Sequence, residues 1–184
     1  MIKPAIPHDE EARVAALKDT GVLDTCPEER FDRYTRLTRR LFDVPIALVS
    51  LVDRERQWFK SKQGLEASET PRDISFCGHA ILGDEIFVVE NASNDERFHD
   101  NPLVTEDPSI RFYAGCPLTS PDGHRLGTLC IIDCEPRVLQ STDLDALQDI
   151  AAMVSSELAA LRLATIDELT GLSNRRAFNM IADQ

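Results

Sequence analysis

Between Leu41 and Pro45 the hydrophobic period of the chain changes, and that change sets the fold class. Upstream the pattern is helical. Pro27 suits a first helical position, Glu28 and Glu29 a first turn, Phe31, Tyr34, Thr38 and Leu41 one face, and Arg39 and Arg40 a last turn. Downstream, Pro45 to Asp53 (PIALVSLVD) is short, apolar and β-branched, which predicts a buried strand. Arg54 to Gln57 then makes a polar turn into Trp58-Phe59-Lys60-Ser61, so a β-hairpin is expected with the preceding helix laid over it.

The remaining segments extend this pattern. Asp9 is a plausible N-cap for a first helix over 10–20, with Glu10 and Glu11 at its positive end, Lys18 at the other and Gly21 as terminator. The stretch 64–73 carries Pro71 and reads as a loop; Ser75 caps a short helix through Leu82, and Ile86 to Glu90 reads as a strand. Asn91 to Pro108 is rich in Asn, Asp, Ser and Pro and reads as a long excursion of the kind that forms lids or walls. Two strands follow, Arg111 to Leu118 and Leu126 to Asp133, joined through Asp122-Gly123, a strong hairpin turn. A long helix runs from Thr142 to about Ile166, with Ser141 or Thr142 as cap and Asp145 in its first turn. The sum is an α+β domain with a mostly antiparallel sheet.

A length of 184 residues suits one compact domain with a short extension, and a net charge of −12 argues against nucleic acid as a partner. No apolar run approaches the ~20 residues of a membrane span and no signal-peptide layout opens the chain, so a cytoplasmic protein is expected. The five cysteines, Cys26, Cys77, Cys116, Cys130 and Cys134, form no CxxC pair; they are expected to be reduced and unlinked, with no metal bound.

Many of these segments, in order, resemble a known family. Phe31 to Leu37, Val44 to Asp53, Gln57 to Ser61, Ser75 to Ile81, Arg111 to Gly115 and Gly127 to Asp133 are similar to the GAF domains fused to bacterial signalling outputs, over roughly residues 10–165. The resemblance implies an antiparallel sheet of five or six strands flanked by helices, a pocket for a small ligand of unspecified identity, and a homodimer. At the other end, Asp167 to Phe178 (DELTGLSNRRAF) resembles the opening of GGDEF diguanylate cyclase domains, whose signature loop and metal-binding carboxylates are not in the sequence. The expected organisation is therefore a GAF sensor over 1–140, a linking signalling helix over 141–166 and the start of a GGDEF domain over 167–184, cut from a longer protein. By itself the chain is expected not to be an enzyme. The intact protein would join two GTP molecules into cyclic di-GMP with Mg²⁺. A ligand-free dimerisation scaffold and a GAF-fold free methionine sulfoxide reductase using Cys77 and Cys116 are the alternatives.

For a pocket the sequence offers Trp58, Phe76, Cys77, His79, Phe98, Arg111, Tyr113 and Asp133, aromatic or hydrogen-bonding groups in or beside the segments that should wall it. Each has a plainer reading: Phe76 and Phe98 as core, Trp58 as cover for a sheet face, His79 as a satisfied helix residue, and Arg111 as partner of Asp95 or Asp107. In the last helix, Leu144, Leu147, Ala151, Val154, Leu158 and Leu161 recur in steps of three and four. That stripe is expected to pair with its copy in a parallel signalling stalk, the alternative being that it packs on its own domain.

Overall fold

A computed structural model describes residues 1–165, with side chains described through Arg162. The elements are α1 (Glu10–Asp19), α2 (Glu29–Leu41), β1 (Ile46–Val52), β2 (Arg56–Gln63), β3 (Glu69–Pro71), α3 (Phe76–Ala80), β4 (Phe87–Val89), α4 (Pro102–Thr105), β5 (Phe112–Thr119), β6 (Arg125–Asp133) and α5 (Ser141–Thr165). Single 3₁₀ turns stand at Arg72–Ile74 and Ala92–Asn94.

The six strands form one sheet in the order β3-β2-β1-β6-β5-β4, antiparallel at every pairing. β1 lies in its middle, paired to β2 and β6, and all seven of its residues are buried. Its apolar run, interrupted only by Ser50, follows from that position, since both faces are covered. Ala47, Val49 and Leu51 face a core layer shared with α2 and α5, while Ile46, Leu48 and Val52 face a second layer with α3. β6 divides the same way, Leu129 and Ile131 to the first layer and Cys130 and Ile132 to the second. The strands meet closely at Gly127, where a Cβ would stand 1.9 Å from the Ser50 carbonyl oxygen.

Several boundaries differ from the sequence pattern. α2 starts at Glu29, two residues after Pro27, because Glu28 is extended and its carboxylate pairs with buried Lys60 at 2.7 Å. Asp9 makes no capping bond; its carboxylate accepts instead from His124 Nδ1 at 3.0 Å. The stretches read as loops hold β3, both 3₁₀ turns and α4, because Asn91 and Asn101 act as caps, accepting from the Ser93 and Leu103 N–H groups. Asp143, not Asp145, closes the first turn of α5, accepting the Gln140 N–H at 2.9 Å.

The stripe of α5 requires a larger correction. Leu147, Ala151, Val154, Leu158 and Leu161, joined by Ile150, are buried in the layer between α5 and the chain's own sheet, and Leu144 is half-buried. A three-four spacing marks one buried face, and here the sheet covers it. The residues 167–178 that resemble a GGDEF opening lie outside the described residues.

Three charged side chains lock α1 to the sheet. Arg13 donates to both oxygens of Glu10 at 2.9 Å and to the Val52 carbonyl at 2.6 Å; Arg72 also donates to Glu10, and all three side chains are at most 10% exposed. Burial opposes charge on Glu10, but the hydrogen bonds from Arg13 and Arg72 outweigh it and bring its pKa down from 4.5 to about 2.

Candidate functional site

The α3 side of the sheet carries two adjoining features, a closed cluster and a cavity. The cluster begins at Ser75, whose hydroxyl accepts the Gly78 N–H at 2.8 Å and so fixes the first turn of α3. That turn presents Phe76 and Cys77 to the sheet. Phe76 stacks on Phe98 at 4.0 Å between ring centroids and on Tyr113 at 5.2 Å. His79 meets Phe98 edge-on at 4.9 Å, its Nε2 lies 3.1 Å from the Ile2 carbonyl, and burial lowers its pKa. Arg97 covers the outer edge, its guanidinium 4.8 Å from the Phe87 ring centroid.

Beneath the aromatic rings lie two thiols. The Sγ atoms of Cys77 and Cys130 are 3.9 Å apart, and Cys77 Sγ accepts from Thr128 Oγ1 at 3.1 Å and from the Tyr113 hydroxyl at 3.2 Å. Burial works against charge on either sulfur, yet the hydrogen bonds from Cys130, Thr128 and Tyr113 pull the Cys77 pKa below the ordinary thiol range. Burial and the facing Cys77 hold Cys130 and Tyr113 well above theirs.

The cavity, of about 320 Å³, opens beside this cluster. Its floor is Ile46, Leu48, Phe59 and Ile132 of the sheet; one wall is the 64–70 connection and the other Leu103, Asp107, Pro108 and Ile110. Gly64 makes the first wall possible: it holds φ +77°, and a Cβ there would lie 2.0 Å from the Pro45 carbonyl oxygen. The lining includes Glu66 and Asp107 and no Lys or Arg. Two nearby cations are engaged by backbone, Lys62 by the Ala67 carbonyl at 2.9 Å and Arg111 by those of Val104 and Ile110 at 2.9 and 3.0 Å. Thr70 Oγ1, on the lining, is buried and makes no hydrogen bond among the described residues.

Of the eight pocket residues expected from sequence, Phe76, Cys77, His79, Phe98 and Tyr113 are brought together in the closed cluster. Trp58 is on the other face, in the α2/α5 layer. Arg111 binds carbonyls of the 104–110 segment, and Asp95 pairs with Arg97 instead, at 2.6 Å. Asp133 accepts from Arg137 Nε at 2.5 Å, and Arg137 continues to the Phe42 and Asp43 carbonyls, so this pair ties β6 to the end of α2. Cys116 faces the α2/α5 layer, where burial pushes its thiol up to about 11; it cannot act jointly with Cys77 across the sheet. The cavity lining itself was not singled out, for its walls come from connections without periodicity and its floor from strand residues that read simply as core. Among the described residues no cluster of His, Cys, Asp or Glu is placed to hold a metal, and no helix is long and apolar enough to cross a membrane.

Comparison with known proteins agrees with this architecture. The chain is 44% identical over 177 residues to a cyclic di-GMP phosphodiesterase of Pseudomonas aeruginosa, an alignment that takes in 95% of the chain and spans 30% of that relative's length. Among solved structures it is similar to the GAF domain of an Acinetobacter phosphoenolpyruvate-protein phosphotransferase, with TM-score 0.55, 16% identity, and 84% and 94% of the two chains covered. It is similar in fold also to a type II free methionine-R-sulfoxide reductase of Thermoplasma acidophilum, with TM-score 0.55 and 13% identity over 73% of this chain and 93% of the other. The GAF domain description matches residues 27–158, from the approach to α2 through most of α5 and including the strands that floor the cavity, and on that match the chain belongs to the GAF domain family.

Proposed function

We propose that the chain is the sensory input of a cyclic di-GMP signalling protein and that it binds a small ligand in the cavity on the α3 side of the sheet. The cavity carries this reading: 320 Å³ with an apolar floor is the size and character of a small-ligand site. Its lining also selects a chemical class. A phosphate needs cations or several convergent N–H groups, whereas the polar lining offers two carboxylates, a buried hydroxyl and the single amide of Gln57. The favoured ligand has a compact apolar body and a neutral or cationic polar end; cyclic nucleotides are disfavoured.

The proposed output rests on two likenesses. The 44% identical relative is a phosphodiesterase acting on cyclic di-GMP, and residues 167–178 resemble the start of a diguanylate cyclase domain; both support a module that regulates cyclic di-GMP turnover. Within that reading the chain itself is a regulatory, non-catalytic unit, residues 1–140 the sensor and 141–166 its link to the output. A homodimer is part of the proposal, because joining two GTP molecules brings two cyclase domains together. The α5 stripe is taken up by the core, so the dimer contact uses other residues.

Thermal shift with arylalkyl amines, matched carboxylic acids and cyclic GMP, alongside a native mass spectrum of freshly purified protein, tests the ligand reading. Stabilisation by the amines, lost when exposed Ala67 on the cavity wall is changed to Trp, is the expected result. A larger shift with cyclic GMP would overturn the ligand class. No shift with any compound, together with no retained mass, would favour the ligand-free scaffold.

A further inference from the structure

The thiol pair under the aromatic cluster lies outside the cavity lining, and its arrangement supports chemistry of its own. Cys77 comes from α3 and Cys130 from the central strand β6, 53 residues apart, with sulfurs at 3.9 Å and no charged side chain between them. Two hydroxyls, of Tyr113 and Thr128, donate to Cys77 at 3.2 and 3.1 Å, and the Cys130 thiol faces it as a third donor. Hydrogen bonds of that kind stabilise a thiolate and make Cys77 the nucleophile of the pair, with Cys130 the thiol that follows.

Reagents would reach the pair through the cavity. Cys130 is the register partner of Leu48 and stands two residues before Ile132 on the same face, and both Leu48 and Ile132 are cavity floor. Cys77 and Cys130 are 1% and 0% exposed and do not line the cavity, so a small hydroperoxide there reaches the sulfurs when the Leu48 and Ile132 side chains part.

We propose that Cys77 and Cys130 form an oxidation site, converted to a disulfide by small hydroperoxides. The Cys77 thiolate attacks the O–O bond and takes the distal oxygen as a sulfenic acid; the leaving alkoxide or hydroxide accepts the proton released by the Cys77 thiol. Cys130 sulfur then attacks Cys77 sulfur, and the sulfenic hydroxyl departs with the Cys130 proton as water. In total two thiols and one hydroperoxide give one disulfide, one alcohol or water, and one further water; sulfur loses two electrons and the peroxide gains them. A low-molecular-weight dithiol reverses the change. The site does not depend on the ligand proposed for the cavity, although a bound ligand would occupy the hydroperoxide's route, and the disulfide would pin α3 to β6.

The test uses a Cys26→Ser/Cys134→Ser protein, in which only the two exposed cysteines are changed and Cys77, Cys116 and Cys130 remain. Folded protein is treated with a small excess of hydrogen peroxide, quenched, unfolded without reductant and titrated. Thiols are expected to fall from three to one and to return to three after dithiothreitol, and a non-reducing peptide map to show Cys77 linked to Cys130. Adding Cys130→Ser should let a dimedone adduct accumulate on Cys77. Retention of three thiols, a link involving Cys116, or oxidation only to sulfinic or sulfonic acid would overturn the proposal. Should the Cys130→Ser protein fail to fold, the peptide map of the parent decides.

Discussion

The ring of Tyr113 folds back over Gly115 on the same strand, so that a Cβ at Gly115 would lie 2.1 Å from the Tyr113 hydroxyl oxygen. The glycine is thus the space that lets the hydroxyl reach Cys77 Sγ at 3.2 Å. Gly115→Ala is expected to push the ring aside, break that hydrogen bond and cost about 1–3 kcal/mol, the usual range for an overfilled core. Urea denaturation measures the cost. An unchanged midpoint would show that Tyr113 moves freely.

Glu10 gives a pH dependence with a defined sign. Its folded pKa, about 2, lies below its ordinary 4.5, so its contribution to stability is complete above about pH 4.5 and is lost as pH falls towards 2. Glu10→Gln removes the countercharge from two buried guanidiniums and is expected to destabilise by roughly 3 kcal/mol at neutral pH. The gap between wild type and variant should shrink between pH 4.5 and 3, followed by denaturation at fixed pH; a constant gap would place the effect elsewhere.

On α5, Leu158 is 1% exposed and Met153 is 52% exposed. Leu158→Ala should cost about 2–5 kcal/mol, while Met153→Ala stays within about 0.5 kcal/mol. Leu158→Glu should unfold the domain rather than simply shift its association state. Circular dichroism with sedimentation separates the two outcomes, and a folded monomeric Leu158→Glu protein would restore the stalk reading.

Incubated with GTP and Mg²⁺, or with cyclic di-GMP, the chain is expected to leave both nucleotides unchanged, because residues 27–158 are a GAF domain, read above as a regulatory unit. Chromatography of the nucleotides against a buffer control checks this.

How much of this was legible depended on whether the determining contacts were local in sequence. The β1 run, the Asp122-Gly123 hairpin and the Ser75 cap are local patterns, and each stands where the sequence put it. Glu10 read as a residue at a helix's positive end, yet its partner Arg72 is 62 positions away, and no spacing rule reaches that far. Cys77 and Cys130 likewise meet only through sheet register. The α5 stripe was visible but not its partner, because a helical period says which face is buried and not what buries it. The cavity was hidden for another reason: Gly64 shapes one wall through backbone conformation, which apolar patterning does not record.

The two faces of β6 bear on how a signal could cross the domain. Ile132 is cavity floor, and Ile131 belongs to the core layer that holds α5. The proposed ligand cavity and the α5 layer are thereby separated by the thickness of one pleat, with consecutive residues about 3.3 Å apart along the strand. A displacement at the floor would be handed to the helix layer by neighbouring residues of a single strand, with no relay of side chains between them. On the proposed sensory reading the sheet would work like a drumhead, struck on one side and heard on the other.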